Sequence, residues 1–526
     1  MFRKVKDWVK THKTAFALIV TALFVAAHIP LILTHENWND EAVSWALSRE
    51  INITNIYEIN NAEPHPLLWQ LILAPFSKLG LPFDTISYIS LALVAFAVFL
   101  FIRFAPMNGF VKFTFLISAG FFYFLPVISR DYSLIPLAIA LVCIAYKSRH
   151  EKPFLYGLAV AFLTQTHFLM YGFAAALGVG FVIEEIVKKE EFSKRLKRTA
   201  IFALPIAISL ASVIPIVINS FNNQAIISGV AYESTDPDVL EQFAPNALKG
   251  FFGSNTEAIY IITIILAALF SLGLLAKNIK AFFYFAIGEG FWIYVMSSIY
   301  KGYYVIEPKT TLIVLMIIAV VWIAKLEETD NENIVSKLLG HSEIIRIIKK
   351  KKICTYPILA VIIALVTVPH TFAFAKRDLN QPFSNSKEVS SILNDFEDGA
   401  LIIQADPAAV VETAVREYVE RDLVYYNLMN NKVDEVNNYL KYDNSTITTY
   451  KNFENITNEE LNSLLYYSSN VYEHVYYIAQ RPSCGYSYSN ANADILNKLE
   501  LIATLNLGND THLDIPRPIV DIYKVK

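Results

Sequence analysis

Asp40 and Glu41 stand side by side in the string WNDEA. Further on, EPHP carries Glu63 and His65 between prolines. Then come Ser129-Arg130-Asp131-Tyr132, His167 in LTQTHFLMYG, and KGYYVIEPK with Lys301, Tyr303, Tyr304 and Lys309. A positioned carboxylate takes a proton from a hydroxyl. Arg and Lys hold phosphate by charge-assisted hydrogen bonds. Together these side chains have the inventory of a site that binds a phosphate and deprotonates a hydroxyl. Each also has a plain structural use. Asp40 and Glu41 suit the first turn of a helix capped by Asn39, where the dipole favours anions. His65 and His167 read equally as structural histidines. Arg130 and the two lysines read as snorkelling cations. Pro64 and Pro66 stiffen the backbone around Glu63 and His65.

The elements that must position these residues are membrane helices. The chain has 526 residues, 44 Lys+Arg against 48 Asp+Glu, and a net charge of −4. Hydrophobic residues make up 54% and charged residues only 17%, where soluble domains carry roughly 25% charged. This excludes a disordered chain and an ordinary cytosolic enzyme. The missing basic excess argues against nucleic acid as a partner. Three cysteines exclude a disulfide scaffold. Apolar runs of bilayer-spanning length predict about eleven spans, near 14–33, 84–104, 111–128, 132–146, 153–170, 172–187, 199–218, 258–276, 281–300, 307–325 and 353–372. The interrupted stretch 66–79 is expected to lie at the outer leaflet without crossing.

Lys and Arg then gather on one side, in 1–13, 188–198 and 325–352, which predicts a cytoplasmic N-terminus. The basic start, with no small-residue cleavage site, is expected to be an anchor. The first outer loop is 34–83, with Trp38, Trp45 and Trp69 expected in the interfacial belt. The candidate side chains all fall on this outer side. Residues 376–526 change character. Short apolar strands (ALIIQ, DLVYYN, VYYIAQ, LELIATL) alternate with helix-like stretches. The expectation is a polytopic α-helical membrane module, 1–375, followed by a small extracytoplasmic α/β domain, 376–526.

WNDEA after the first span, EPHPLLW and SRDYSL resemble, in order and sidedness, the motifs of GT-C fold membrane glycosyltransferases with the protein-mannosyltransferase-like domain. Those motifs are an Asp-Glu pair, an HPPL string and an (S)RxYxL string. The resemblance covers roughly residues 10–320 and the plan of a soluble C-terminal domain. It implies inverting transfer of a hexosyl or pentosyl group from a polyprenyl-phosphate carrier to a glycan, lipid or protein hydroxyl, at the outer face of the cell membrane. Asp40 matches the general base or acceptor binder, with Glu41 its partner. His65 matches the histidine of HPPL and stands with Glu63 on the acceptor side. Arg130 and Tyr132 match the RxY beside the donor phosphate, and His167 is grouped with them. Glu307-Pro308-Lys309 falls where the family has PRY or PRH, with Lys for Arg, and HPLL replaces HPPL. Some relatives use a divalent metal, and Asp40, Glu41 and Glu63 offer the oxygen ligands one would take.

Two other classes fit parts of the chain. A transporter or lipid flippase would use a charge near the midplane, and Glu289 in AIGEGFWIY is the one hint. A membrane-anchored sensor would work through 376–526, where Tyr425, Tyr426, Tyr466, Tyr467, Tyr476 and Tyr477 read first as strand or core aromatics.

Overall fold

The computed structural model describes residues 7–9, 11–56, 65–118, 120–222, 278–298, 307–327, 372–384, 386–404, 410–427, 432–434, 458–481, 497–506 and 519–526, with isolated residues at 270–271, 273–274 and 495. The expected spans 258–276 and 353–372, Glu63, and Lys301 to Tyr304 lie wholly or mostly outside them.

The described chain starts with α1 (Lys13–Thr34), α2 (Asn39–Glu50), α3 (Leu68–Lys78), α4 (Thr85–Phe104) and α5 (Gly109–Leu116). It continues through α6 (Ile135–Tyr146), α7 (Pro153–Thr164), α8 (Tyr171–Val187), α9 (Phe192–Asn222), α10 (Ile279–Ser298) and α11 (Glu307–Glu327). Among the described residues, five helices are long and apolar enough to cross a bilayer: Lys13–Thr34, Thr85–Phe104, Phe168–Val187, Phe192–Ile214 and Ile279–Met296. These mark a membrane protein. They expose large apolar side chains such as Leu18, Leu23, Phe96, Val179, Ile183, Ile208 and Phe283, a surface suited to lipid.

Several expected spans differ in detail. Stretch 111–128 is not one helix: α5 ends at Leu116 and a wide π turn occupies Gly120–Phe124. The turn presses on α11 so closely that a Cβ at Gly120 would collide with Thr311. Stretch 132–146 opens with a tight turn, Asp131–Leu134, before α6. Stretch 153–170 breaks after Thr164 and resumes in a short turn, Phe168–Met170. Helix α3 has 11 residues, about 16 Å at 1.5 Å per residue, too short for a hydrocarbon core of about 30 Å.

Helices α2 and α3 fold against each other. Ala42, Trp45, Trp69, Leu73, Phe83, Ile86 and Leu134 form their shared core. Trp45 and Trp69 are therefore packed inside, each 1% exposed, and not displayed in a belt. Ala414 completes that core, with Tyr418 against it. Both belong to the C-terminal region.

There, a helical segment at 372–380 leads to α12 (Ser386–Leu393), α13 (Val410–Tyr418) and α14 (Asn458–Val471). The strands are β1 (Leu401–Gln404), β2 (Val424–Asn427), β3 (Lys432–Asp434), β4 (Val475–Arg481), β5 (Leu499–Asn506) and β6 (Ile519–Val525). They form one mixed sheet, ordered β3-β2-β1-β4-β6-β5. β1 runs parallel to β2 and β4, while β3 and the β4-β6-β5 pairs are antiparallel. Alternate residues feed two cores, Ile402, Tyr476 and Ile522 on one face and Leu401, Ile403 and Tyr477 on the other, as period-two alternation requires. The four expected strands are present, and β3 and β6 are additional.

Candidate active site

Helix α2 begins at Asn39, with Trp38 at the cap position. Glu41 reaches back and accepts the Trp38 amide at 2.9 Å through Oε2, the reciprocal half of a capping box. Its Oε1 accepts the Ser129 amide at 2.6 Å. Fully buried Glu41 thus ties the start of α2 to the Ser129–Tyr132 turn. Across that tie, Arg130 Nη1 donates to Asp40 Oδ2. The pair is partly open to solvent, with the Arg130 side chain 19% and the Asp40 side chain 35% exposed.

Tyr132, His65, His167 and Phe168 stack beside this pair. The Tyr132 and His167 rings lie 4.7 Å apart at 22°. His65 sits 4.7 Å from His167 and 5.5 Å from Phe168. Lys309, at the start of α11, is 7% exposed and within Coulombic reach of Arg130, Asp131, His65 and His167. Burial lowers the His65 pKa, the Asp131 charge opposes this, and Lys309 adds to it. Residues from five separate stretches therefore meet at one end of the bundle.

This end carries unsatisfied polar atoms. His65 Nδ1, His167 Nε2 and both carboxylate oxygens of Asp131 are buried without a hydrogen-bond partner. The Tyr132 amide lies near Asp131 without meeting hydrogen-bond geometry. Such orphans are rare in folded proteins, because each costs desolvation free energy. Donor atoms of His65, Asp131 and His167 lie within 4.8 Å of one another, close enough to raise a metal. The His167 ring argues otherwise. Its Nδ1 accepts the Leu169 amide at 3.1 Å, which puts the proton of a neutral ring on Nε2. That atom is then a donor and not a ligand. Of the oxygen set Asp40, Glu41 and Glu63, Asp40 is paired with Arg130, both Glu41 oxygens accept backbone amides, and Glu63 lies outside the described residues.

Residues that the sequence did not single out surround the tie. His35 Nδ1 faces Asp378 Oδ2 at 3.0 Å, and its Nε2 faces Glu41 Oε2 at 3.4 Å. Tyr123 donates to the same Asp378 oxygen at 3.0 Å. Burial alone would lower the His35 pKa, but the Asp378 and Glu41 carboxylates raise it to about 10, so the ring is cationic. Asp84 accepts from Tyr418 at 2.9 Å and from Asn37 and Lys387, each at 3.2 Å. Arg49 pairs with Glu417 at 2.5 Å. The signal for His35 was its place in HENWNDEA. Asp378, remote in the chain, gave none.

A second polar cluster occupies the opposite end of the same helices. Arg149 donates twice to Glu184, at 2.7 and 2.9 Å. Glu184 also meets Lys280 at 2.7 Å and His150 at 3.1 Å. Glu327 accepts from Tyr146 at 2.6 Å, Asn278 at 2.9 Å and Arg149 at 3.0 Å.

No protein-family model, curated protein or solved structure matches the chain.

Proposed function

We propose that this protein is a multi-pass membrane glycosyltransferase that moves a sugar from a polyprenyl-phosphate carrier to an acceptor hydroxyl at the extracytoplasmic face. The observation that supports the reading is convergence. Asp40, Arg130, Tyr132, His65, His167 and Lys309 come from distant segments and meet at one end of the bundle. The resemblance of their motifs to GT-C enzymes supplies the reaction class.

The chemistry follows from the pairing. Without substrate, Arg130 and Asp40 neutralise each other. A phosphate takes the guanidinium, which favours oxyanions in bidentate geometry, and frees the Asp40 oxygen. The acceptor oxygen attacks the anomeric carbon as its proton passes to Asp40. The bond from that carbon to the phosphate oxygen breaks, and the electron pair leaves on the phosphate. Arg130 and Lys309 stabilise the departing charge. His167 Nε2–H and the Asp131 oxygens offer one donor and two acceptors to the hydroxyls of the sugar.

The test is turnover of a panel of polyprenyl-phosphate sugars by protein in lipid nanodiscs, with native mass spectra of wild type and Arg130→Ala. A bound lipid weakened by Arg130→Ala, and release of polyprenyl phosphate lost in Asp40→Asn, are the expected results. Absence of both binding and turnover across the panel sinks the reading.

A further inference from the structure

We infer that Asp378 is a positioning residue for the candidate site: through His35 it holds Glu41, and with Glu41 the start of α2 that carries Asp40, against Ser129 and Arg130. The inference deepens the transferase reading and rests on it only for its catalytic readout.

The argument is a chain of buried contacts. Glu41 has one oxygen on the Ser129 amide and the other on the Trp38 amide, so its orientation sets where α2 starts. A buried carboxylate needs a compensating charge, and the cation in contact with Glu41 is His35. His35 is fully buried, with a carboxylate at each ring nitrogen. Phe383 packs on its ring at 4.7 Å. The contact to Asp378 is the shorter of the two and lies nearer charge-assisted hydrogen-bond distance. Tyr123 fixes the same Asp378 oxygen from the π turn before Ser129. Arg377 lies close enough to act on Tyr123 electrostatically. Phe374, on the same helical segment, stacks on Tyr123 at 6.1 Å and meets Phe124 at 5.2 Å edge-on.

The C-terminal region is thereby built into the site. Its other grips on this loop reach its flanks: Lys387 donates its amide to Glu36, Tyr418 binds Asp84 and Glu417 binds Arg49. Asp378 differs because it reaches Glu41 through one shared ring.

The experiment uses the full-length protein in nanodiscs, with histidines labelled with nitrogen-15 and the His35 signals assigned by loss in His35→Gln. At pH 8 the wild-type His35 ring reads as cationic, and in Asp378→Asn it reads as neutral. Hydrogen exchange over 39–50 speeds up by about tenfold, the scale of one lost hydrogen bond to a charged group. In turnover assays kcat falls while KM for the donor holds, since Asp378 touches no substrate. Asp378→Glu keeps the ring cationic and recovers part of kcat. If Asp378→Asn does not fold, Tyr123→Phe, which removes one donor from the same oxygen, speeds exchange in the same segment by a smaller factor. A ring still cationic in Asp378→Asn, or unchanged exchange over 39–50, overturns the inference. Absence of turnover in wild type would sink the transferase reading alone, because the ring charge and the exchange rates still decide the role of Asp378.

Discussion

Helix α11 begins with Lys309 in one polar cluster and ends with Glu327 in another, and the two clusters are built on opposite terms. At the Glu327 end the carboxylates are saturated. Glu184 meets Arg149, Lys280 and His150, and Glu327 meets Tyr146, Asn278, Arg149 and Lys280. At the Lys309 end, Asp131, His65 and His167 are buried with polar atoms unmatched. A saturated network fixes helix ends relative to one another and has nothing left to bind. An unsaturated one holds desolvated groups ready for a ligand, which recovers their lost hydrogen bonds. The first reads as a staple and the second as a site.

That contrast can be broken by substitution. Asp40→Asn should reduce turnover by about 10²–10⁴, the usual contribution of a general base, with the thermal midpoint unchanged. Equal turnover would remove Asp40 from the chemistry. Glu184→Gln should do the reverse. It removes one of the two carboxylates that Arg149 and Lys280 share, leaving them Glu327 alone, at a cost of about 1.5–3 kcal/mol, lowering the thermal midpoint while activity per folded molecule holds. Asp131→Asn should lower turnover by about tenfold to hundredfold and shift the midpoint less than Glu184→Gln does. A larger shift would make the Lys309 end a staple as well.

The pH dependence sharpens the picture on the site side. The folded-state pKa of His35, about 10, lies above its ordinary value of 6.5. Its ion pairs therefore contribute stability that is fully present below pH 6.5. That contribution declines as pH rises and is gone above pH 10. Thermal midpoints of wild type should fall across that window more steeply than those of His35→Gln, and parallel curves would contradict the clasp. Lys194→Ala should be silent in every assay. Its pair with Glu191 is 65% and 70% exposed, and such pairs contribute almost nothing.

How much was legible in the sequence follows from what each pattern encodes. Asp40, His65, Arg130, Tyr132, His167 and Lys309 were found because their residue types and flanks stand out against apolar surroundings, and the structure brings them together. The resemblance makes Glu41 the partner of Asp40, and the structure ties both of its oxygens to backbone amides, a contact no sequence pattern encodes. Asp131 was visible only as a neighbour of Arg130. Its unmatched oxygens depend on what the surrounding helices fail to supply. The Glu184–Glu327 network was invisible, since its members are spread over α6 to α11 and each alone looks like a charged helix end.

Local chemistry set the apolar helices, the alternating strands β1, β2, β4 and β5, and the turns around the candidate residues. Hydrophobic period and length are properties of short segments, legible without neighbours. The tertiary structure decided which carboxylate is free and which is tied, and that the C-terminal region reaches back to His35 through Asp378. Pairing and burial belong to groups distant in the chain. The desolvation and charge compensation that separate a staple from a site exist only once those groups meet.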